Sequence, residues 1–441
     1  MNSQPQHDHG DNEEAFLDET DIINVHDIDE EDLPDADDEE TGGEVDSDVP
    51  DADDEETSGG DVDLEVVDDS MHIFTGHTDE LYASACSPVD AILVATGGGD
   101  DKGFLWKINR EDGAFELPGH RDSVSSLSFS TDGQLLATGG LDGVVKVWDT
   151  VNGELKCTLD GPSEGIEWIK WHPKGHVILA GAEDASIWMW NADRATYLQT
   201  FTGHGSSVTC GDFTPDGRTI CSGSQDATLR IWNPKTAENI HVVRGHPYHT
   251  EGLTCLAISS DSTLALTGAS DGSVHVVNIS TGKVVISLNP HSDSVECAAF
   301  EASSRKDSWR AATGGMDKKL MIWDQNSSPR CVCDHEDGVT CLLWLSSSRY
   351  IATGCLDGDI RVWDSLSGDC VKKFRGHAGP IQSISATADG NFLVSASLDG
   401  TSRVFEIAEF RENYTGNNSS SQFFRCWWDR FNVREALKML R

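Results

Sequence analysis

From about residue 70 onward the chain carries short runs in which apolar and polar residues alternate, as in Val144-Val145-Lys146-Val147-Trp148, divided by turns such as Thr131-Asp132-Gly133-Gln134. Successive side chains of a strand point to opposite faces, so a period of two predicts half-buried β-strands. The pattern also repeats on a longer scale. A Gly-His pair or a variant stands at Gly76-His77, Gly119-His120, Gly161-Pro162, Gly203-His204, Gly245-His246, Pro290-His291, Asp334-His335 and Gly376-His377, in steps of 42 to 45 residues. Some 28 to 32 residues after each comes Trp-Asp or a variant: Trp106-Lys107, Trp148-Asp149, Trp190-Asn191, Trp232-Asn233, Val277-Asn278, Trp323-Asp324, Trp363-Asp364 and Phe405-Glu406. Six residues before these stand Asp100, Asp142, Asp184, Asp226, Asp271, Asp317, Asp357 and Asp399, and four residues earlier again Thr96, Thr138, Ala180, Ser222, Thr267, Thr313, Thr353 and Ser395.

Eight copies of this pattern between residues 70 and 408 resemble the WD-repeat family. The resemblance implies an all-β, eight-bladed propeller with four short strands to a blade. In such a propeller the strand after Trp-Asp is the outer edge of its blade. No convincing strand follows Phe405-Glu406, whereas Met71-His72-Ile73-Phe74 has the composition of one, so this N-terminal stretch is expected to close blade eight and cover its open edge.

His, Ser/Thr and Asp recurring together bring a hydrolase triad to mind, but an active site needs one activated nucleophile and here the set is repeated. The family resemblance gives these residues a structural role, a hydrogen-bonded chain from Trp through Ser/Thr and His to the turn Asp. Full sets are His77, Thr96, Asp100 and Trp106 in blade one, and His120, Thr138, Asp142 and Trp148 in blade two. Blade four has His204, Ser222, Asp226 and Trp232, blade six His291, Thr313, Asp317 and Trp323, and blade seven His335, Thr353, Asp357 and Trp363. Blades three, five and eight, with Pro162 and Ala180, Val277 and Phe405, are expected to lack complete chains. No enzyme activity is expected.

Charge divides the chain. Residues 1–69 contain 30 of the 76 Asp and Glu and none of the 32 Lys and Arg, and a Pro-Asp-Ala-Asp-Asp-Glu-Glu-Thr stretch occurs twice within them. So polar a segment cannot repay the entropy of ordering, and a disordered acidic arm is expected. The net charge of −44 argues against direct binding of nucleic acid, which depends on Lys and Arg neutralising phosphates. No apolar run reaches the roughly 18 residues that span a bilayer and no secretory signal is evident, so a soluble, monomeric protein of the cytoplasm, with access to the nucleus left open, is expected. Cys210, Cys255, Cys297 and Cys341 share one slot of the repeat and read as small buried hydrophobes; no cofactor or metal is expected. The segment from Glu409 to Arg441 lies outside the repeats, with Phe424, Trp427, Trp428 and Phe431 spaced for one helical face, and no role is assigned to it.

Function is then expected on the face carrying the turns after Gly-His. Those turns hold ten acidic residues and one basic one. The candidate partner-binding residues are Asp79, Glu80 and Tyr82 in blade one, Asp122 in blade two, and Glu164, Glu167, Trp168 and Glu183 in blade three. Blade six adds Asp293 and Glu296, and blade seven Glu336 and Asp337. Carboxylates beside Tyr82 and Trp168 suit a basic, arginine-rich peptide through charge-assisted hydrogen bonds and cation–π contact. Two stretches, Gly98-Gly99-Asp100-Asp101-Lys102-Gly103-Phe104-Leu105-Trp106 and Glu167-Trp168-Ile169-Lys170-Trp171-His172-Pro173 with Ile187-Trp188-Met189-Trp190, are similar to a subgroup of the family that in turn resembles, in its acidic arm and eight repeats, a ribosome-assembly chaperone. That resemblance implies a newly made basic large-subunit ribosomal protein as the partner. The competing expectation is a multi-partner scaffold in signalling or cell migration.

Overall fold

The computed structural model describes residues 67–110, 113–302, 309–345 and 348–411. They form eight antiparallel sheets of four strands each. Blade one runs from its inner strand Leu81–Cys86 through Leu93–Gly98 and Gly103–Lys107 to the outer strand Phe115–Leu117, and each later blade repeats that order. The inner strands of successive blades lie side by side around the ring, and that of blade one packs against Ile381–Ala386 of blade eight, so the circle is closed. The second and third strands of each blade are sandwiched between neighbouring blades. Their side chains are accordingly buried, among them Trp106, Trp190, Trp232 and Trp323, each with less than 2% of its surface exposed.

Closure follows the sequence expectation. Strand His72–Phe74 pairs antiparallel with Ser402–Glu406 and is the outer strand of blade eight. The latch begins earlier than the arm boundary read at residue 69. Asp69 exchanges two hydrogen bonds with the backbone of Arg375, and the Asp68 carboxylate is paired with Arg403. At the other end the fold runs past residue 408 into a 3-10 turn, Ala408–Phe410, whose Phe410 is buried against Tyr350. The expected arm up to residue 66 and the aromatic stretch beyond Arg411 lie outside the described residues.

Blades two, four and six each have the expected polar chain unbroken. In blade two, His120 Nδ1 lies 3.1 Å from Asp142 and its Nε2 2.9 Å from Thr138, to which Trp148 donates at 2.9 Å. Blades one and seven depart from the full sets expected of them, while blades five and eight lack a complete chain as expected. In blade one His77 reaches Asp100 and Thr96, but the indole N–H of Trp106 has no acceptor among the described residues. In blade seven Asp357 is drawn away by Arg361, at 2.7 Å, and His335 turns its Nδ1 to the Cys333 carbonyl instead. In blade five the structural histidine is His249, bonded to Thr267 at 2.8 Å, and not His246. Blade eight keeps its His377 contacts to Asp399 and Ser395 and lacks only the aromatic donor. The slot cysteines sit over the glycine opposite them in the next strand, Cys210 over Gly223 and Cys255 over Gly268.

The acidic rim as candidate functional site

The turn aspartates build the face. In seven blades the carboxylate of the turn accepts a backbone N–H from the loop that precedes the inner strand, as Thr78 to Asp100, Arg121 to Asp142 and Ser292 to Asp317. Both connections of a blade are thereby held at one end of the propeller. The acidic loop residues occupy recurrent positions there. Asp79, Asp122 and Asp293 each stand two residues before the first buried residue of the inner strand and accept the N–H of the following residue at 2.8 to 2.9 Å. Glu164 fills the same position in blade three and is exposed.

The residue after that buried anchor is set apart by the backbone. Pairing of the inner strand with its neighbour shifts by one between Leu81 and Ala83, between Ile166 and Trp168, between Val295 and Cys297, and between Ile381 and Ser383. Each shift is a β-bulge, which leaves the extra residue unpaired and re-aims its side chain. The bulged residues in these four blades are Tyr82, Glu167, Glu296 and Gln382. The other four blades carry Ser125, Thr209, Thr254 and Thr340 at that place.

Several carboxylates on this face take hydroxyl donors. Tyr82 donates from its hydroxyl to Glu80 at 3.1 Å, and Ser294 donates to Glu296 at 2.6 Å. Glu167 is half-buried and accepts from Ser207 at 3.0 Å. Burial first, and then the nearby Glu183 carboxylate, hold the Glu167 carboxyl above the usual carboxylate range in spite of that bond. Among the described residues, Asp79, Glu80, Asp122, Glu164, Glu167, Glu183, Asp293 and Glu296 have no Lys or Arg partner within 4 Å.

Two parts of the sequence reading change. Trp168 is buried, its indole N–H is given to the Val208 carbonyl at 2.8 Å, and it offers no open ring to a ligand cation. Blade seven contributes less free charge than its loop sequence implies. Glu336 lies 3.5 Å from Lys373 and 3.6 Å from Arg361, and Asp337 lies 3.5 Å from Lys318. The carboxylate cluster of Glu336, Asp357 and Asp359 is likewise filled by Arg361 and Lys373. Gln382 was not singled out by sequence reasoning. Its signal was positional, since it stands directly after an inner-strand anchor as Glu167 and Glu296 do.

The family model described as WD domain, G-beta repeat, matches residues 114–149, 153–191, 195–233, 237–278, 282–324, 327–364 and 368–406. Seven repeats are matched and the structure has eight blades, the unmatched one being blade one. The angio-associated migratory cell protein of Homo sapiens is 32% identical over 358 residues, spanning 78% of this chain and 81% of that protein. An uncharacterised WD repeat-containing protein of Schizosaccharomyces pombe is 36% identical over 352 residues, 77% of this chain and 87% of its own. Among solved structures, Chaetomium thermophilum Sqt1 bound to the N-terminus of the ribosomal protein L10 superposes with a TM-score of 0.71 at 24% identity, over 77% of this chain and all of that one. Saccharomyces cerevisiae Sqt1 gives 0.69 at 22%, over 77% of this chain and 99% of its own. The two Sqt1 comparisons bear on the fold.

Proposed function

We propose that this chain, which belongs to the WD-repeat family, is a non-enzymatic chaperone that holds a basic segment of a newly made large-subunit ribosomal protein on its acidic rim. The observation that carries this reading is the set of carboxylates on the loop face that have no Lys or Arg partner among the described residues, with Glu167 and Glu183 close enough to oppose each other's charge. A buried or half-buried carboxylate without a cation is costly unless something supplies one. An arginine segment would do so with charge-assisted hydrogen bonds, and a potential focused by the walls of the ring would speed its capture. The shared fold with Sqt1, whose structure contains the N-terminus of a ribosomal protein, supports the choice of client class.

The test is affinity capture from cytosol at low salt, with mass spectrometry of what a salt step releases. One dominant basic ribosomal protein is the expected result. A broad mixture of neutral and acidic partners would favour the scaffold reading instead.

A further inference from the structure

The bulge position has a second use, and the two uses exclude each other. Where it carries Ser or Thr, the side-chain hydroxyl ties its blade to the next one: Ser125 donates to the Ile166 carbonyl, Thr209 to Leu253, Thr254 to Val295 and Thr340 to Ile381. Every acceptor is the anchor carbonyl of the following blade. A glutamate has no proton to give at neutral pH, so Glu167 and Glu296 cannot make this bond.

At the seam between blades three and four, the corresponding acceptor is the Val208 carbonyl, and it is not left open. Trp168, the very next residue, donates its indole N–H to it at 2.8 Å. Room for the ring is provided by glycine, since a β-carbon at Gly181 or Gly211 would collide with the indole. Gly211 stands in the inner strand of blade four where the other seven inner strands carry a side chain. At the seam between blades six and seven no such substitute is found, and the Val339 carbonyl receives no side-chain donor among the described residues.

We propose that Trp168 is a positioning residue that takes over the inter-blade tie at the third seam and thereby frees the bulge position to present Glu167 at the rim. The functional half of this statement rests on the acidic-rim reading; the tie exchange itself does not. Glu296, by the same logic, holds its place without a substitute tie, and its seam is the weaker for it.

Thermal melting of wild type, Trp168→Phe, Glu167→Thr, the double variant and Glu296→Thr tests the exchange. Trp168→Phe frees the Val208 carbonyl and lowers Tm by about 2 °C or more. Glu167→Thr gives up the bond from Ser207, and its effect in the wild-type background is the reference for the cycle; in the Trp168→Phe chain it recovers much of the loss by donating to the freed Val208 carbonyl. Glu296→Thr raises Tm. Strict additivity of the Trp168→Phe and Glu167→Thr effects would overturn the exchange, since independent sites show no coupling. For the positioning half, a labelled synthetic peptide of alternating Arg and Ala is titrated onto the folded chains. Trp168→Phe binds it several-fold more weakly than wild type, and equal affinity would overturn the positioning role. Failure of the peptide to bind wild type would count against the rim reading, while the tie exchange would still be decided by the melting cycle.

Discussion

Phe74 of the closing strand stacks face to face on Trp106 of blade one, with ring centroids 4.8 Å apart and planes within 2° of each other. The contact crosses from blade eight to blade one and involves the indole whose N–H lacks an acceptor. Stacking and burial take the place of the hydrogen bond that holds the equivalent tryptophan in blades two, four and six.

Phe74→Ala should therefore weaken closure of the ring, at a cost of about 1–3 kcal/mol for a half-buried aromatic. Chemical denaturation checks the stability, and hydrogen exchange at Met71, whose N–H is bonded to the Val404 carbonyl, checks that the loss is at the latch. A chain starting at Val67 keeps the Asp68 and Asp69 contacts and should melt as the full chain does, whereas one starting at Thr78 should not.

Asp142 is an acceptor for His120, for the Arg121 N–H and for the Val144 N–H. Asp142→Ala leaves these donors partly unsatisfied, with an expected loss of about 1–3 kcal/mol in urea unfolding and no change in peptide affinity. Normal stability with lost binding would reverse the roles assigned to the turn aspartates and the rim.

Two histidines should give opposite pH effects. Burial first, and His275 second, push His249 down to about 3. Its stabilising contribution is complete above the unfolded value of about 6.5 and is lost as pH falls from there toward 3. For His176 burial opposes the charged form, but bonds to Asp193 and Asp132 outweigh it and raise the pKa. Its contribution is complete below about 6.5 and is lost as pH rises through the raised value. Melting temperatures from pH 4 to 9 should show a shallower acid decline in His249→Gln and a deficit in His176→Gln that shrinks toward alkaline pH.

Much of this was legible because the repeat enforces it. Eight units and the turn aspartates follow from spacing, and the closing strand from what the resemblance implies of a propeller together with the composition of Met71-His72-Ile73-Phe74. His249 was legible too, though the Gly-His motif pointed to His246: the histidine stands 18 residues before the Ser or Thr of its blade in blades two, four, seven and eight, and counting back from Thr267 gives His249. The remaining differences arise between residues far apart in the fold. Nothing local tells that Arg361 captures Asp357, that Lys373 and Lys318 neutralise the blade-seven loop, or that Trp168 spends its N–H on the neighbouring blade. The glycine at 211 was the one trace of that last contact in the sequence.

Removal of residues 1–66, which carry 28 acidic groups and no basic ones, should slow association with a basic peptide more than it speeds dissociation. A charged segment raises encounter rates through its long-range field without adding to a fixed pocket. Stopped-flow association at low salt reads this directly, and an unchanged association rate would assign the arm another role.

The central claim is that the rim carboxylates hold a basic client. Its most direct test is the affinity of the Arg-Ala peptide for wild type and for the folded Glu80→Lys, Glu167→Lys, Glu296→Lys triple variant, measured from low salt to physiological ionic strength. Three attractive contacts become repulsive, and a loss of about a hundredfold or more is predicted. Wild-type affinity should also fall steeply as screening shortens to a Debye length of about 8 Å. A folded triple variant that binds with wild-type affinity and wild-type salt dependence would contradict the account.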